Sequence, residues 1–179
     1  MIFKALFGRK DDPSSPQVGG TKDLLTLTQP VDATVERAFQ VFIDEFNRWW
    51  PRDYTWGRER LSAIAIEPKM GGRCYERLND GSEQVWGKVL AFDRPHHIVI
   101  AWQISPDRRP EESDATASRV DVRFSPLDGG KTNVLLVHRD FFRHQGDWEK
   151  YRNDMASKKG WPLIMAAYAK AVQEASDHR

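Results

Sequence analysis

At 179 residues the chain falls in the range of one domain with a single substantial core. Its 27 Lys+Arg against 26 Asp+Glu leave a formal net charge of +1, so no overall field recruits nucleic acid or an anionic membrane, and neither is expected as a partner. The one cysteine, Cys74, excludes an internal disulfide framework and a cysteine-rich zinc site and suits the reducing cytoplasm.

The opening MIFKALFGRK has too short an apolar run for a signal peptide, and no stretch approaches the ~20 apolar residues that span a bilayer. RKDDPSSPQVGGT, residues 9–21, collects charge, proline, serine and glycine without an apolar period, which predicts a mobile N-terminal tail over residues 1–21. A single domain is expected over residues 22–178.

DLLTLTQPV, residues 23–31, predicts a first strand. Thr34 follows as an N-cap, Glu36 suits the positive end of a helix dipole, and Ala38, Phe39, Phe42, Ile43 and Phe46 predict an apolar stripe of about three turns closed by Pro51. From Ala63 onward AIAIEP, RCYERL, EQVWGKVLAF, HIVIAWQI, SRVDVRFS and TNVLLVHR show period two, giving about seven strands in all. Asn79-Asp80-Gly81 and Asp128-Gly129-Gly130 supply residues that tolerate positive φ and predict hairpin turns, hence a largely antiparallel meander. After Arg139 the spacing becomes helical, with one piece over residues 145–158, a joint at Gly160, and a terminal helix carrying Trp161, Ile164, Met165, Tyr168 and Val172 on one stripe. Pro162 fits the first turn of that helix. The sum is an α+β helix-grip fold: a curved antiparallel sheet wrapped around a long C-terminal helix, with space between the two.

IEPKMGGRCYER, VWGKVLAFDRPHHIVIAW, GGKTNVLLVH and KGWP before an apolar helix occur in an order and spacing that resembles the SRPBCC (START-like) superfamily, in the branch of the activator of the heat-shock protein 90 ATPase. The resemblance covers roughly residues 22–175. It implies the helix-grip fold and a choice among hydrophobic-ligand carriage, cyclase-like chemistry, resistance and chaperone regulation, among which fold membership does not decide. The separate N-terminal domain that the eukaryotic chaperone activators carry before the similar module is not expected from this sequence, which weighs against the namesake activity.

Candidate site residues come from strand parity and aromatic surplus. Along RCYERL, Arg73, Tyr75 and Arg77 share one face and Cys74, Glu76 and Leu78 the other, a mixture that suits either a cavity wall or a sheet edge. In the next strand Gln84, Trp86, Lys88, Leu90 and Phe92 share a face, with Gly87 marking a bend or bulge. Trp102 alternates with Ile98, Ile100 and Ile104, and His138 shares a face with Thr132, Val134 and Leu136. Trp50, Tyr75, Trp86, Trp102, His138 and Trp161 are the expected lining of a ligand cavity, with Glu76 as its polar anchor. RWWPRDYTWGRER, residues 48–60, interleaves arginines with aromatics and reads as a lid over the cavity mouth, or as a single-stranded nucleic-acid site.

No catalytic residue is assigned. His138 reads as a hydrogen-bonded core histidine or as a catalytic group, and Glu76 as an arginine partner or a general acid raised by desolvation. His96 and His97 point to opposite faces of a strand and cannot readily share an ion, and neither GxSxG nor GxGxxG occurs, so neither metal nor cofactor is expected. The reading is a binding protein more than an enzyme, as a monomer or homodimer, for a small hydrophobic molecule of aromatic or polyketide-like kind. A chaperone-interaction module and a cyclase- or hydrolase-like enzyme are the alternatives.

Overall fold

In the computed structural model, which describes residues 14–111 and 113–177, the chain enters the sheet earlier than its composition predicts. Gln17–Thr21 form β1, an exposed edge strand antiparallel to β2 (Leu24–Val31). Main-chain hydrogen bonds to a strand edge need no side-chain pattern, so QVGGT pairs despite lacking an apolar period. Of the expected tail, residues 1–13 lie outside the described residues, as does residue 178. The sheet therefore has eight strands, not seven.

β2 buries Leu25, Leu27, Gln29 and Val31 on alternate positions and hands the chain to α1 (Val35–Ile43). Thr34 Oγ1 accepts from the Arg37 N–H at 3.3 Å, the expected cap. The expected helix does not continue to Phe46: it stops at Asp44 and restarts as α2 (Phe46–Trp49). This break turns Phe46 onto Trp50 and Trp86, which it stacks at centroid distances of 5.0 and 5.5 Å.

Two 3₁₀ turns, Arg52–Tyr54 and Arg58–Arg60, lead into β3 (Leu61–Ile66). The meander continues through β4 (Arg73–Leu78), β5 (Glu83–Asp93), β6 (His97–Trp102), β7 (Ser118–Leu127) and β8 (Lys131–Arg139). The order is β1-β2-β8-β7-β6-β5-β4-β3 with every pairing antiparallel, so α1 and α2 carry the chain from one side of the sheet to the opposite edge. Both predicted hairpin turns are present, with Gly81 at φ +83 and Gly129 and Gly130 at φ +74.

β5 carries two bulges. Cys74 pairs with Gly87 but Tyr75 with Val85, leaving Trp86 unopposed; Val89 pairs with Ile100 but Ala91 with Val99, leaving Leu90 unopposed. A bulge resets parity, so Trp86 is buried while Lys88, its expected face-mate, is exposed. Gly87 is required there, because a Cβ would meet the Ala101 carbonyl oxygen at 2.9 Å.

α3 (Trp148–Ala156) and α4 (Trp161–Ser176) close the chain. α4 packs on β2 and on the other helices, where Phe39, Phe42, Phe124 and Tyr168 fill the interior edge to face. The Tyr168 hydroxyl donates to the Ala38 carbonyl at 2.8 Å, and Trp49 Nε1 to the Val41 carbonyl at 3.0 Å, so neither ring leaves an unpaired donor in this core.

The joint between α3 and α4 is Gly160. A Cβ at that position would lie 2.2 Å from the Met155 carbonyl oxygen and 2.6 Å from that of Asp154, so the end of α3 must move to accept any side chain. Gly160→Ala is expected to cost at least about 2 kcal/mol in urea or thermal unfolding; wild-type stability in that variant would show that the joint yields freely.

Candidate functional site

On the β3–β6 side of the inner face the packing opens into a cavity of about 460 Å³. Each of four consecutive strands contributes one inward residue: Ile64 from β3, Glu76 from β4, Trp86 from β5 and Trp102 from β6. Opposite them stand Trp50, Met155 and Ile164, from the segment after α2 and from the α3 and α4 ends that Gly160 joins. The exposed lining residues Asp53, Tyr54, Arg58, Arg108 and Lys159 form the rim.

The wall is an indole cluster. Trp50 and Trp86 lie nearly parallel, 16° apart with centroids at 6.1 Å, and Trp102 meets them at 6.3 and 5.8 Å. Trp102 is fixed by donating Nε1–H to the Tyr151 hydroxyl at 2.8 Å, which in turn donates to the Ile104 carbonyl at 2.9 Å. Burial pushes the Tyr151 phenol up to about 12, so it stays protonated as this relay requires.

The aromatic-arginine loop lies along the cavity mouth. Trp56 Nε1–H donates across the rim to the Arg108 carbonyl and the Tyr54 hydroxyl to the Lys159 carbonyl, each at 2.7 Å. From below, Glu76 pins the loop: its two carboxylate oxygens accept the Trp56 and Gly57 N–H groups, both at 3.0 Å. Glu76 is 3% exposed, and its burial raises the carboxyl pKa while the two N–H bonds pull it back. Both of its hydrogen bonds among the described residues go to the loop, and no arginine pairs with it there.

Three expected lining residues lie elsewhere. Tyr75 faces the outer side of the sheet, held between the Arg73 and Arg77 guanidiniums at 4.7 and 5.3 Å from its ring centre, because the Glu76 face of β4 is the inner one. Trp161 backs the wall from behind, 6.2 Å from the Trp50 ring and 5.4 Å from that of Trp102, and does not line the space. His138 is fully buried behind Trp161, away from the cavity.

The protonation of His138 follows from its partners. Its Nδ1 accepts from Trp161 Nε1–H at 3.0 Å, so Nε2 carries the proton and donates to Ser118 Oγ at 2.7 Å. The Ser118 hydroxyl then donates to His144 Nε2 at 2.7 Å, and His144 Nδ1 donates to the Glu111 carboxylate at 3.0 Å. The Ser118 N–H also points to His144 Nε2 at 3.3 Å, which requires a lone pair there and hence a neutral ring. Burial holds His138 well below the usual range and pushes His144 down to about 4. Ser118, His144 and Glu111 have the order of a hydrolytic triad, but the serine is 0% exposed and lies outside the cavity lining, so the chain is a structural brace for Trp161.

The rim residues Tyr54, Trp56 and Arg108 and the apolar groups Ile64, Ile104, Met155 and Ile164 complete the cavity but were not singled out from the sequence. Tyr54 and Trp56 fall inside the aromatic-arginine loop that reads as a lid. Ile104 closes the alternation of Ile98, Ile100 and Trp102 just beyond the end of β6, whereas Arg108 lies further on in a segment without periodicity, where nothing in the sequence marks it. Among the described residues no group of three His, Cys, Asp or Glu side chains is placed to hold a metal, and no helix is long and apolar enough to cross a membrane.

An antiparallel sheet gripping a C-terminal helix over a walled cavity defines a helix-grip protein of the SRPBCC type. The chain belongs to the family described as Activator of Hsp90 ATPase homolog 1-like protein, which residues 32–173 match. It is 30% identical to the anthrahydroquino-gamma-pyrone synthase Txn09, solved as a complex, over 85% of this chain and 99% of that one, with a TM-score of 0.59. It is 26% identical to CalC, a self-sacrificing resistance protein from Micromonospora echinospora, over 86% and 96% of the two chains, with a TM-score of 0.61. A Rhodobacter sphaeroides protein, 16% identical over 92% of this chain and 99% of that one, shares the fold at a TM-score of 0.61. Comparison with curated protein sequences finds no match.

Two outcomes follow from the buried groups. Glu76→Gln turns an NH2 group against one of two N–H donors, so a loss of about 1–3 kcal/mol and faster amide exchange at Trp56 and Gly57 are expected; unchanged exchange would detach Glu76 from the loop. His144 has a folded pKa below its unfolded value of 6.5, so its contribution is intact above pH 6.5 and is lost as pH falls towards 4. Urea unfolding is expected to show roughly 2 kcal/mol lost through this group between pH 7 and pH 5, a component absent in His144→Gln.

Proposed function

We propose that the protein binds a small, largely apolar molecule of aromatic or polyketide-like kind in the cavity between the sheet, the loop over residues 50–60 and the start of α4. The observation that carries this reading is the 460 Å³ space walled by Trp50, Trp86 and Trp102. Its size suits a small ligand, its near-parallel indoles suit a flat ring system, and its rim is closed by two hydrogen bonds that can open without unfolding the sheet. The similarity to a synthase of a fused aromatic pyrone supports the ligand class.

The other two readings find less support. A chaperone-binding outer face would present a contiguous apolar patch, whereas the outward residues of β4, β5 and β7 include Arg73, Arg77, Lys88, Arg119, Asp121 and Arg123, and the exposed large apolar side chains among the described residues are scattered. An enzyme using Glu76 or His138 needs one of them free in the cavity, whereas the Glu76 carboxylate holds the loop with both oxygens and His138 lies outside the lining with both ring nitrogens hydrogen-bonded.

Native mass spectrometry of gently purified protein is expected to show a one-to-one small-molecule adduct, and titration with a tricyclic aromatic to quench the tryptophan fluorescence. Ile104→Trp, which fills the space, is expected to remove both signals while the protein stays folded. Repeated absence of an adduct with unaltered fluorescence across an apolar panel would overturn the reading.

A further inference from the structure

Of the eight buried polar or charged side chains among the described residues, two line the cavity, Thr55 and Glu76. The Thr55 hydroxyl is satisfied inside its own turn: it donates to the Arg52 carbonyl at 2.6 Å and accepts from the Arg58 N–H at 3.0 Å. Glu76 is not satisfied in the same way. An ionised carboxylate offers roughly four lone-pair sites, and the Trp56 and Gly57 N–H groups take one on each oxygen. The remaining sites have no donor among the described residues.

The carboxylate also lacks a counter-charge. Burial and those two N–H groups act on it, with no charged neighbour among the influences. Across the sheet it faces Ile64 on β3 and Gln84 on β5, and the Gln84 amide is turned to the Val85 carbonyl. The wall beside it is Ile64, Trp86 and Trp102, of which Trp102 already gives its N–H to Tyr151. A buried acid with neither a cation nor a full set of donors is costly, and on the wall of a space that admits a small molecule it is matched by a donor from that molecule.

We infer that the bound molecule is a hydroxylated aromatic, seated with a phenolic O–H donating to the Glu76 carboxylate and its ring against the Trp50, Trp86 and Trp102 indoles. This rests on the cavity being a ligand site and names the group it selects. An ionised carboxylate only accepts, so a ketone, an ether or a second carboxylate at that point sets lone pair against lone pair. An ammonium group could donate as well, but it must shed the hydration of a full charge to enter an apolar chamber. A phenol gives up the hydration of one hydroxyl and gains a charge-assisted hydrogen bond.

Three probes of one ring size test the donor: 2-naphthol, its methyl ether 2-methoxynaphthalene, and the cation 2-naphthylmethylammonium. Titrated against the full chain by calorimetry at pH 7.5, the naphthol is expected to bind about tenfold more tightly than the ether, and more tightly than the ammonium. Glu76→Gln is expected to bring the naphthol level with the ether. Because that variant also loosens the loop, the wild type supplies a second readout: bound naphthol is expected to show a far-downfield, slowly exchanging hydroxyl proton by NMR that the ether complex lacks. Equal wild-type affinity for naphthol and ether, absence of that resonance at saturation, tighter binding of the ammonium, or a naphthol preference that survives Glu76→Gln would overturn the assignment. Failure of all three probes to bind would overturn the cavity reading itself, and this inference with it.

Discussion

The sheet is wider than its helices. Eight strands at roughly 4.8 Å spacing span about 34 Å between the edge strands, and a helix with its side chains covers about 10 Å of that width. α4 settles on β2 and α1 on β7 and β8, where their aromatic residues fill the interior. The β3–β6 half has no long helix over it, so its inner face is left to a loop, the short α2 and the α3–α4 joint. These cannot fill the space to core density, and the cavity results. Gly160 lets α4 start tight against the end of α3, and the Glu76 carboxylate holds the loop down from the sheet side.

The indole wall is braced from behind by polar groups on β7, on β8 and in the turn after β8. The hydrogen-bond chain from Glu111 through His144, Ser118 and His138 to Trp161 is complete, and each tautomer is set by the next partner. It fixes the back of the indole cluster as the Tyr151 hydroxyl fixes Trp102. A rigid wall loses little freedom when a flat molecule lies against it, which favours binding by preorganisation. Of the four indoles that line the space, Trp56 and Trp102 have acceptors, and Trp50 and Trp86 have none among the described residues.

The family and its solved neighbours establish the fold, and the fold alone does not choose an activity. A synthase and a resistance protein share this architecture. What distinguishes one such protein from another is the set of side chains lining the open half of the sheet, and here that set is aromatic within and cationic at the rim.

Local chemistry determined much of this structure from the sequence. Asn79-Asp80-Gly81 and Asp128-Gly129-Gly130 could only be tight turns, Thr34 was a cap, Gly160 a joint, and the alternation around them required an antiparallel meander; Trp50, Glu76, Trp86 and Trp102 were legible as cavity residues from parity and aromatic surplus. Parity within one strand does not say which face is inner, so Tyr75 stayed ambiguous until pairing with β3 and β5 turned the arginine face outward. It also fails across a bulge, as at Trp86 and Lys88. The orientation of His138 was open in the sequence, and its depth behind Trp161 and Trp102 is a property of three-dimensional packing that leaves no mark on a strand pattern. Arg108 lies in an aperiodic segment, and only the folded chain could bring its guanidinium over Tyr151 and onto the rim.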